Sequence, residues 1–371
     1  MKSKVQHVTG SIARSLLGLT FLFSGFVKAI DPLGTTYKIE DYLKAFGGFF
    51  ADMLPLAQTA AFILIAAEFV LAICLLLNVR TSITSWLTLL FYLVMTPLTA
   101  YIAITNPVSD CGCFGDALVI TNWQTFTKNV ILLVLSIVLV KCRKSIPSTF
   151  VWQAELGIAS LALVLVVGLM AWTLNHLPFI DFRPYKIGNN IPELMEYPED
   201  APQDEYEITF VYEKNGVEQE FTLENYPRGD SSWTFVRQNS KLIKKGYEPP
   251  IHDFELINND FEDITFDILE SEEPVTLVIM YDLSKSDMEM LPRVERLYEQ
   301  TMESGSDFYI LTGSGSDEID ALVSQLSSIG REAICTCDPV TLKTIVRANP
   351  GVIEVQNGIV INKFNLKNIC E

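Results

Sequence analysis

Charge is scarce in this chain. Charged residues occupy 19% of its 371 positions and the mean hydropathy is +0.27, whereas soluble proteins carry roughly a quarter charged residues. That shortage argues against a purely soluble enzyme. Histidine is scarcer still, with His7, His176 and His252 the full complement, so a metal centre built on imidazoles is poorly supplied and no metal is expected. Basic residues are few in the second half: residues 1–174 hold 11 Lys/Arg and 8 Asp/Glu, while residues 175–371 hold 16 and 37. The formal net charge of −18 therefore belongs to the second half. Phosphates repel such a surface, which excludes nonspecific nucleic-acid binding. The length suits two or three domains, each with its own core.

Long apolar runs are abundant. Five approach the ~20 residues that cross a bilayer core: approximately 11–30, 55–77, 83–104, 123–141 and 152–174. Lys and Arg in short connections stay preferentially on the cytoplasmic side. One set of connections carries Lys2, Lys4, Arg80, Lys141, Arg143 and Lys144, with Arg14 near the first helix entrance; the other carries Lys38 and Lys44 diluted by Glu40, Asp41 and Asp52. This predicts a multi-pass protein of the inner membrane with a cytoplasmic N-terminus and a periplasmic C-terminal half. The first run ends in "FVKAIDP" without a small-residue cleavage pattern, so it reads as a retained anchor. Residues 31–54 and 105–122 then form outward loops, and the apolar Tyr42, Leu43, Phe46, Phe49 and Phe50 among charges suit an interfacial helix capping the bundle's mouth.

The loop "TNPVSDCGCFGDALVITNW" sets Cys111 and Cys113 beside the membrane with Gly112 between them. A disulfide across one residue closes a very small ring, gains little loop entropy and carries strain that favours reduction, so it suits electron transfer better than stapling. A static disulfide and half of a metal site remain the competing readings of the same pair.

Together "RSLLGLTFLFSGFVKAIDPLG" (14–34), Glu68 and "CGCFGD" (111–116) resemble the DoxX/MauE group of small four-helix membrane proteins, over about residues 8–142. The resemblance implies a thiol redox role toward periplasmic partners, with a quinone as possible electron partner. Glu68 lies deep in the second run, where a carboxylate normally finds a polar partner, and Arg14 is the expected one; proton handling near a quinone is the alternative. Lys28 and Asp31 are expected at the headgroups, and Cys74 and Cys142 as reduced thiols without a role.

Residues 177–204 read as a linker rich in Pro, Asn and acids, and "YEITFVYEKNGVEQEFTLENYP" as a hairpin about Asn215-Gly216 within a segment 205–249. From 250 to 371 strands and helices alternate, which calls for an α/β domain with an antiparallel edge turned at Asn357-Gly358. This order is similar to thioredoxin-like domains of the TlpA/peroxiredoxin type, and "NPGVIEVQNGIVI" makes Pro350 the candidate cis-proline. Where that family carries Cys-X-X-Cys, this chain has "DLSKSDME" (282–289), so standard dithiol chemistry is absent there. Cys335 and Cys337 form a second Cys-X-Cys on one face of a strand, either a secondary redox pair or small buried side chains; Cys370 has no assigned role.

The fold class expected is thus an all-α transmembrane bundle (1–150), a fifth transmembrane helix (151–176), a linker and an extracytoplasmic α/β thioredoxin-like domain. The leading functional reading passes electrons between periplasmic thiols and a membrane carrier through Cys111 and Cys113. Its rival is a non-enzymatic envelope anchor presenting an acidic binding domain that has lost its dithiol. Transport is weaker, since the runs hold few polar residues and no inverted repeat.

Overall fold

The computed structural model describes residues 2–108, 110–244 and 246–368. Helix α1 (Lys2–Ile30) ends where Asp31 caps the next helix by accepting from the Gly34 amide and Pro32 takes its first turn, giving α2 (Pro32–Phe46). Gly47, at φ +61°, breaks α2 and leads through a 3-10 stretch, Gly48–Leu56, into α3 (Ala57–Leu76). Helix α4 (Thr81–Thr105) follows a tight turn, α5 (Asn122–Cys142) is opened by a Thr121/Gln124 capping box, and α6 (Trp152–His176) completes the bundle. Among the described residues five helical stretches are long and apolar enough to cross a membrane: Lys4–Ile30, Gly48–Leu76, Thr81–Thr105, Asn122–Ser145 and Trp152–His176.

Helix α1 packs on α3 and α5, α4 on α5, and α6 against α1 and α3. Gly25 allows the closest approach, since a Cβ there would sit 2.9 Å from the Phe69 backbone nitrogen. The core joins Leu17 and Phe21 to Ala72, Leu75, Tyr92 and Leu139. Leu87, Leu90 and Val94 on α4 and Leu161, Val164 and Leu165 on α6 point outward and are exposed. Such a surface is unfavourable in water at about 25 cal/mol per Å² and suits hydrocarbon.

Beyond α6 the expected linker is not free. Tyr185 and Ile191 are buried in the core of the C-terminal part, Gly188 donates to the Val360 carbonyl, and α7 (Ile191–Met195) packs there. Its apolar residues and its backbone bonds to an edge strand make this segment part of that domain. Strands β1 (Glu205–Lys214), β2 (Val217–Thr222) and β3 (Thr234–Lys244) form a separate antiparallel sheet, ordered β2-β1-β3, turned at Asn215 and Gly216 in positive φ. Tyr212, Phe221, Trp233 and Phe235 cluster on it.

The remaining strands are β4 (Val275–Ile279), β5 (Asp307–Thr312), β6 (Ile334–Thr336), β7 (Gly351–Gln356) and β8 (Ile359–Asn365), ordered β6-β5-β4-β7-β8. The β4–β5 and β5–β6 pairs are parallel; β4–β7 and β7–β8 are antiparallel. Central β4 is buried at every position, and its sequence is apolar but for Thr276. Helices α9 (Leu291–Glu303) and α10 (Ser316–Val323) cover one face through Val294 and Leu322, while α8 (Thr265–Leu269) and α11 (Pro339–Ile345) cover the other through Leu269 and Leu342. The Asn349–Pro350 peptide, just ahead of β7, is cis.

Candidate functional site

Between α4 and α5 the chain makes a tight turn at one end of the bundle, held by its own side chains. Asp110 Oδ1 accepts from the Gly112 amide at 2.8 Å, and Lys38 of α2 fixes the other oxygen, Asp110 Oδ2, at 2.7 Å. Gly112 has φ +63°, and a Cβ there would meet Lys38 Cγ at 3.0 Å. A residue with a side chain fits neither the backbone angle nor the space. The turn aims Cys111 and Cys113 at one another as half-buried free thiols with Sγ atoms 2.6 Å apart.

Their environments differ. The hydrogen bond between the two sulfurs, with Lys128 and Lys28 nearby, holds Cys113 below the ordinary thiol range although burial opposes it. That same hydrogen bond and burial push Cys111 well above the ordinary thiol range. One sulfur is thus prepared as a thiolate nucleophile and the other as its protonated partner.

Behind the turn lies a buried ion pair. Lys28 Nζ reaches Glu68 Oε1 at 2.8 Å and Oε2 at 3.0 Å. Ser24 Oγ stands 2.8 Å from Glu68 Oε2 and 2.8 Å from the Cys113 carbonyl oxygen, and Lys28 donates to it at 3.1 Å. The expected Arg14–Glu68 pair is therefore corrected: Arg14 donates to the Leu75 and Leu76 carbonyls instead. In an antiparallel helix pair, facing residue numbers have a nearly constant sum. The Gly25–Phe69 contact puts Glu68 opposite the Ser24–Lys28 turn and Arg14 opposite the end of α3. Lys28 is accordingly buried, not a headgroup anchor.

The sulfurs line a cavity of about 260 Å³ that runs into the bundle among Phe21, Phe46, Phe91 and Tyr92, with Lys28, Glu68 and Lys128 at its wall. An apolar cavity of about 150 Å³ holds benzene, so one substituted ring fits here. On the other side of the turn a polar cleft of about 470 Å³ separates the bundle from the C-terminal domain. Lys28, Thr35, Lys38 and Gly112 belong to both walls.

The C-terminal domain roofs this cleft. Arg347, placed just after α11, is largely covered and binds Asp31 at 2.9 Å and Asp116 at 3.5 Å, while the Tyr37 and Tyr281 hydroxyls meet at 3.3 Å. Although burial opposes it, Arg347 holds the Asp31 carboxyl below its usual range. Lys363 and Arg183 share Asp181 at 2.7 Å each, and burial drives Lys363 down to about 7.

Cys335 and Cys337 sit together in the domain core, where burial pushes them up to about 11 and about 12. Cys74 and Cys142 are buried in the bundle, and Cys370 lies outside the described residues. Sequence reasoning missed the Ser24–Lys28–Glu68 group, although Ser24 and Lys28 share a helix face at i,i+4. It also missed Lys128, in the second turn of the fourth apolar run, and gave no signal for Arg347.

Residues 6–141 match the family model described as Methylamine utilisation protein MauE, and residues 206–245 match a domain of unknown function, DUF8463. The chain thus has a MauE-like membrane domain carrying the cysteine turn. No curated protein and no solved structure matches it.

Proposed function

We propose that this protein is a membrane thiol–disulfide redox protein in which Cys111 and Cys113 pass electrons between thiols of periplasmic proteins and a lipid-soluble carrier of the quinone type. The observation that carries this reading is the facing sulfur pair at the wall of an apolar cavity inside the bundle, with Gly112 of the same turn also lining the cleft beneath the C-terminal domain. A ring-shaped carrier has its place in the cavity beside the sulfurs, and a protein thiol approaches the turn from the cleft at Gly112.

The exchange balances without a further reagent. A partner disulfide is formed as its two thiols reduce the Cys111–Cys113 disulfide through a mixed disulfide, the Cys113 sulfur being the natural thiolate on return. The reduced pair, a Cys111 thiol and a Cys113 thiolate, then loses two electrons and the Cys111 proton as the S–S bond forms, and water returns the second proton, the one Cys113 released on ionising. Both carbonyl oxygens of the quinone become hydroxyls. Glu68, Lys28 and Ser24 hold the turn and keep charge balanced beside it.

The C-terminal part is read as a thioredoxin-like domain serving as adaptor. Its mixed sheet, helices on both faces and cis Pro350 ahead of β7 support that reading, as does the placement of the cysteine-free segment 282–289 straight after β4. Tyr281 and Arg347, flanking that segment and Pro350, face the bundle mouth. The rival reading, a non-enzymatic anchor presenting a binding domain, is favoured by the missing dithiol at 282–289.

The two separate in one experiment. Membranes containing the full chain are given a reduced dithiol peptide and a short-chain benzoquinone, and hydroquinone formation is followed. Wild type is expected to turn over and the Cys111→Ser/Cys113→Ser double variant to lose that activity; equal rates in both would leave only the anchor.

A further inference from the structure

Three lysines line the apolar cavity, and two are already committed: Lys28 to Glu68 at 2.8 Å and Lys38 to Asp110 at 2.7 Å. Lys128 is not. It lies on the second turn of α5, inside a membrane-crossing stretch, with no carboxylate partner among the described residues. Its Nζ stands 4.2 Å from the centroid of the Phe114 ring, and Phe114 directly follows Cys113. A cation in such a segment is costly and normally marks a functional contact. The ring face offsets part of that cost but leaves the ammonium's N–H donors without an oxygen acceptor.

We propose that Lys128 is the positioning residue for the carrier: its ammonium donates to a carbonyl oxygen of a ring-shaped quinone-class acceptor in the cavity and holds that ring beside the Cys113 sulfur. The inference rests on the redox reading above and adds the group that orients the acceptor. As the dithiol's two electrons enter the ring, charge grows on the carbonyl oxygens, and a hydrogen bond from an ammonium strengthens with it. Of the two protons that complete the hydroquinone, one comes from the Cys111 S–H bond and the other from water, which took up the Cys113 proton when that thiol ionised. Lys128 keeps its own, so it is not the acid of the reaction. The same ammonium acts on the donor side, helping to hold Cys113 as a thiolate. One charge thus favours both reactants where they meet.

The test uses the full chain in lipid nanodiscs, with dithiothreitol as reductant and a short-chain 1,4-benzoquinone as probe. In Lys128→Met the quinone KM is expected to rise about tenfold or more, the loss expected for one charge-assisted hydrogen bond. Its kcat is expected to change less, and Lys128→Arg to restore KM. An unchanged KM in Lys128→Met beside an active wild type overturns this inference alone. A wild type that matches Cys111→Ser/Cys113→Ser overturns the redox reading and this inference with it. A ligand-side arm needs no variant: naphthalene, which has the ring without carbonyls, is expected to compete at least about tenfold more weakly than 1,4-naphthoquinone. Equal competition overturns the carbonyl contact.

Discussion

Ser24 Oγ lies 2.8 Å from Glu68 Oε2 and 2.8 Å from the carbonyl oxygen of Cys113. A hydroxyl has one proton, so it serves one acceptor at a time and takes Lys28 as donor at 3.1 Å. The cysteine turn is thereby joined to the ion pair beneath it. Ser24→Ala is expected to lower stability by about 1 kcal/mol and to speed proteolysis within the 105–122 loop. Thermal unfolding in detergent and limited proteolysis check this; an unchanged cleavage rate would show that the turn stands without the serine.

The cysteine asymmetry sets a pH profile. With Cys113 held below the ordinary thiol range, its thiolate persists to lower pH than that of a free cysteine, and alkylation slows about tenfold per unit below its midpoint. Iodoacetamide labelling of the reduced protein, followed residue by residue with mass spectrometry, should titrate Cys113 with a midpoint below that of an ordinary thiol and leave Cys111 nearly silent at neutral pH. Because the Cys111 hydrogen bond contributes most, Cys111→Ala is expected to move that midpoint upward.

Breaking the buried pair on one side is predicted to be worse than removing both charges. Lys28→Met leaves the Glu68 carboxylate buried beside the sulfurs and is expected to cost about 3–5 kcal/mol. Lys28→Met/Glu68→Leu is expected to recover most of that loss. Denaturation of the three proteins in one detergent checks the order, and additive losses would remove the coupling.

Arg347 joins the two parts of the molecule, so Arg347→Ala is expected to raise maleimide labelling of Cys113 by about tenfold or more, the equivalent of ~1.4 kcal/mol of lost docking. The pH dependence follows from Asp31, whose carboxyl is held below its usual range. Its contribution is fully present above about pH 4, the unfolded value, and is lost as pH falls through the depressed one. Once the thiolate titration of Cys113 is divided out of the labelling rate, the accessibility governed by this contact should therefore stay constant from pH 5 to 8 and increase only in stronger acid.

What was legible in the sequence is what depends on neighbours along the chain. The five apolar runs declare themselves by length, the hairpins at Asn215-Gly216 and Asn357-Gly358 by their turn chemistry, and the Cys-Gly-Cys turn by spacing. What stayed hidden depends on register between distant segments. Glu68 has two basic candidates on α1, fourteen positions apart, and only the crossing at Gly25 decides for Lys28 over Arg14. Asp31 and Arg347 are 316 positions apart and meet through the docking of two domains. The stretch after α6 has a linker's composition, yet Tyr185 and Ile191 supply enough apolar surface to fold it into the domain.

The roof over the cysteine turn belongs to the same chain as the turn. A tethered group docks as though present at roughly millimolar effective concentration, so a separate protein at micromolar levels competes at a disadvantage of about a thousandfold for the same mouth. Any client must either slip a flexible strand into the cleft or arrive when the roof has lifted. On the redox reading proposed above, access to the sulfurs is then set by the grip of Arg347 on Asp31.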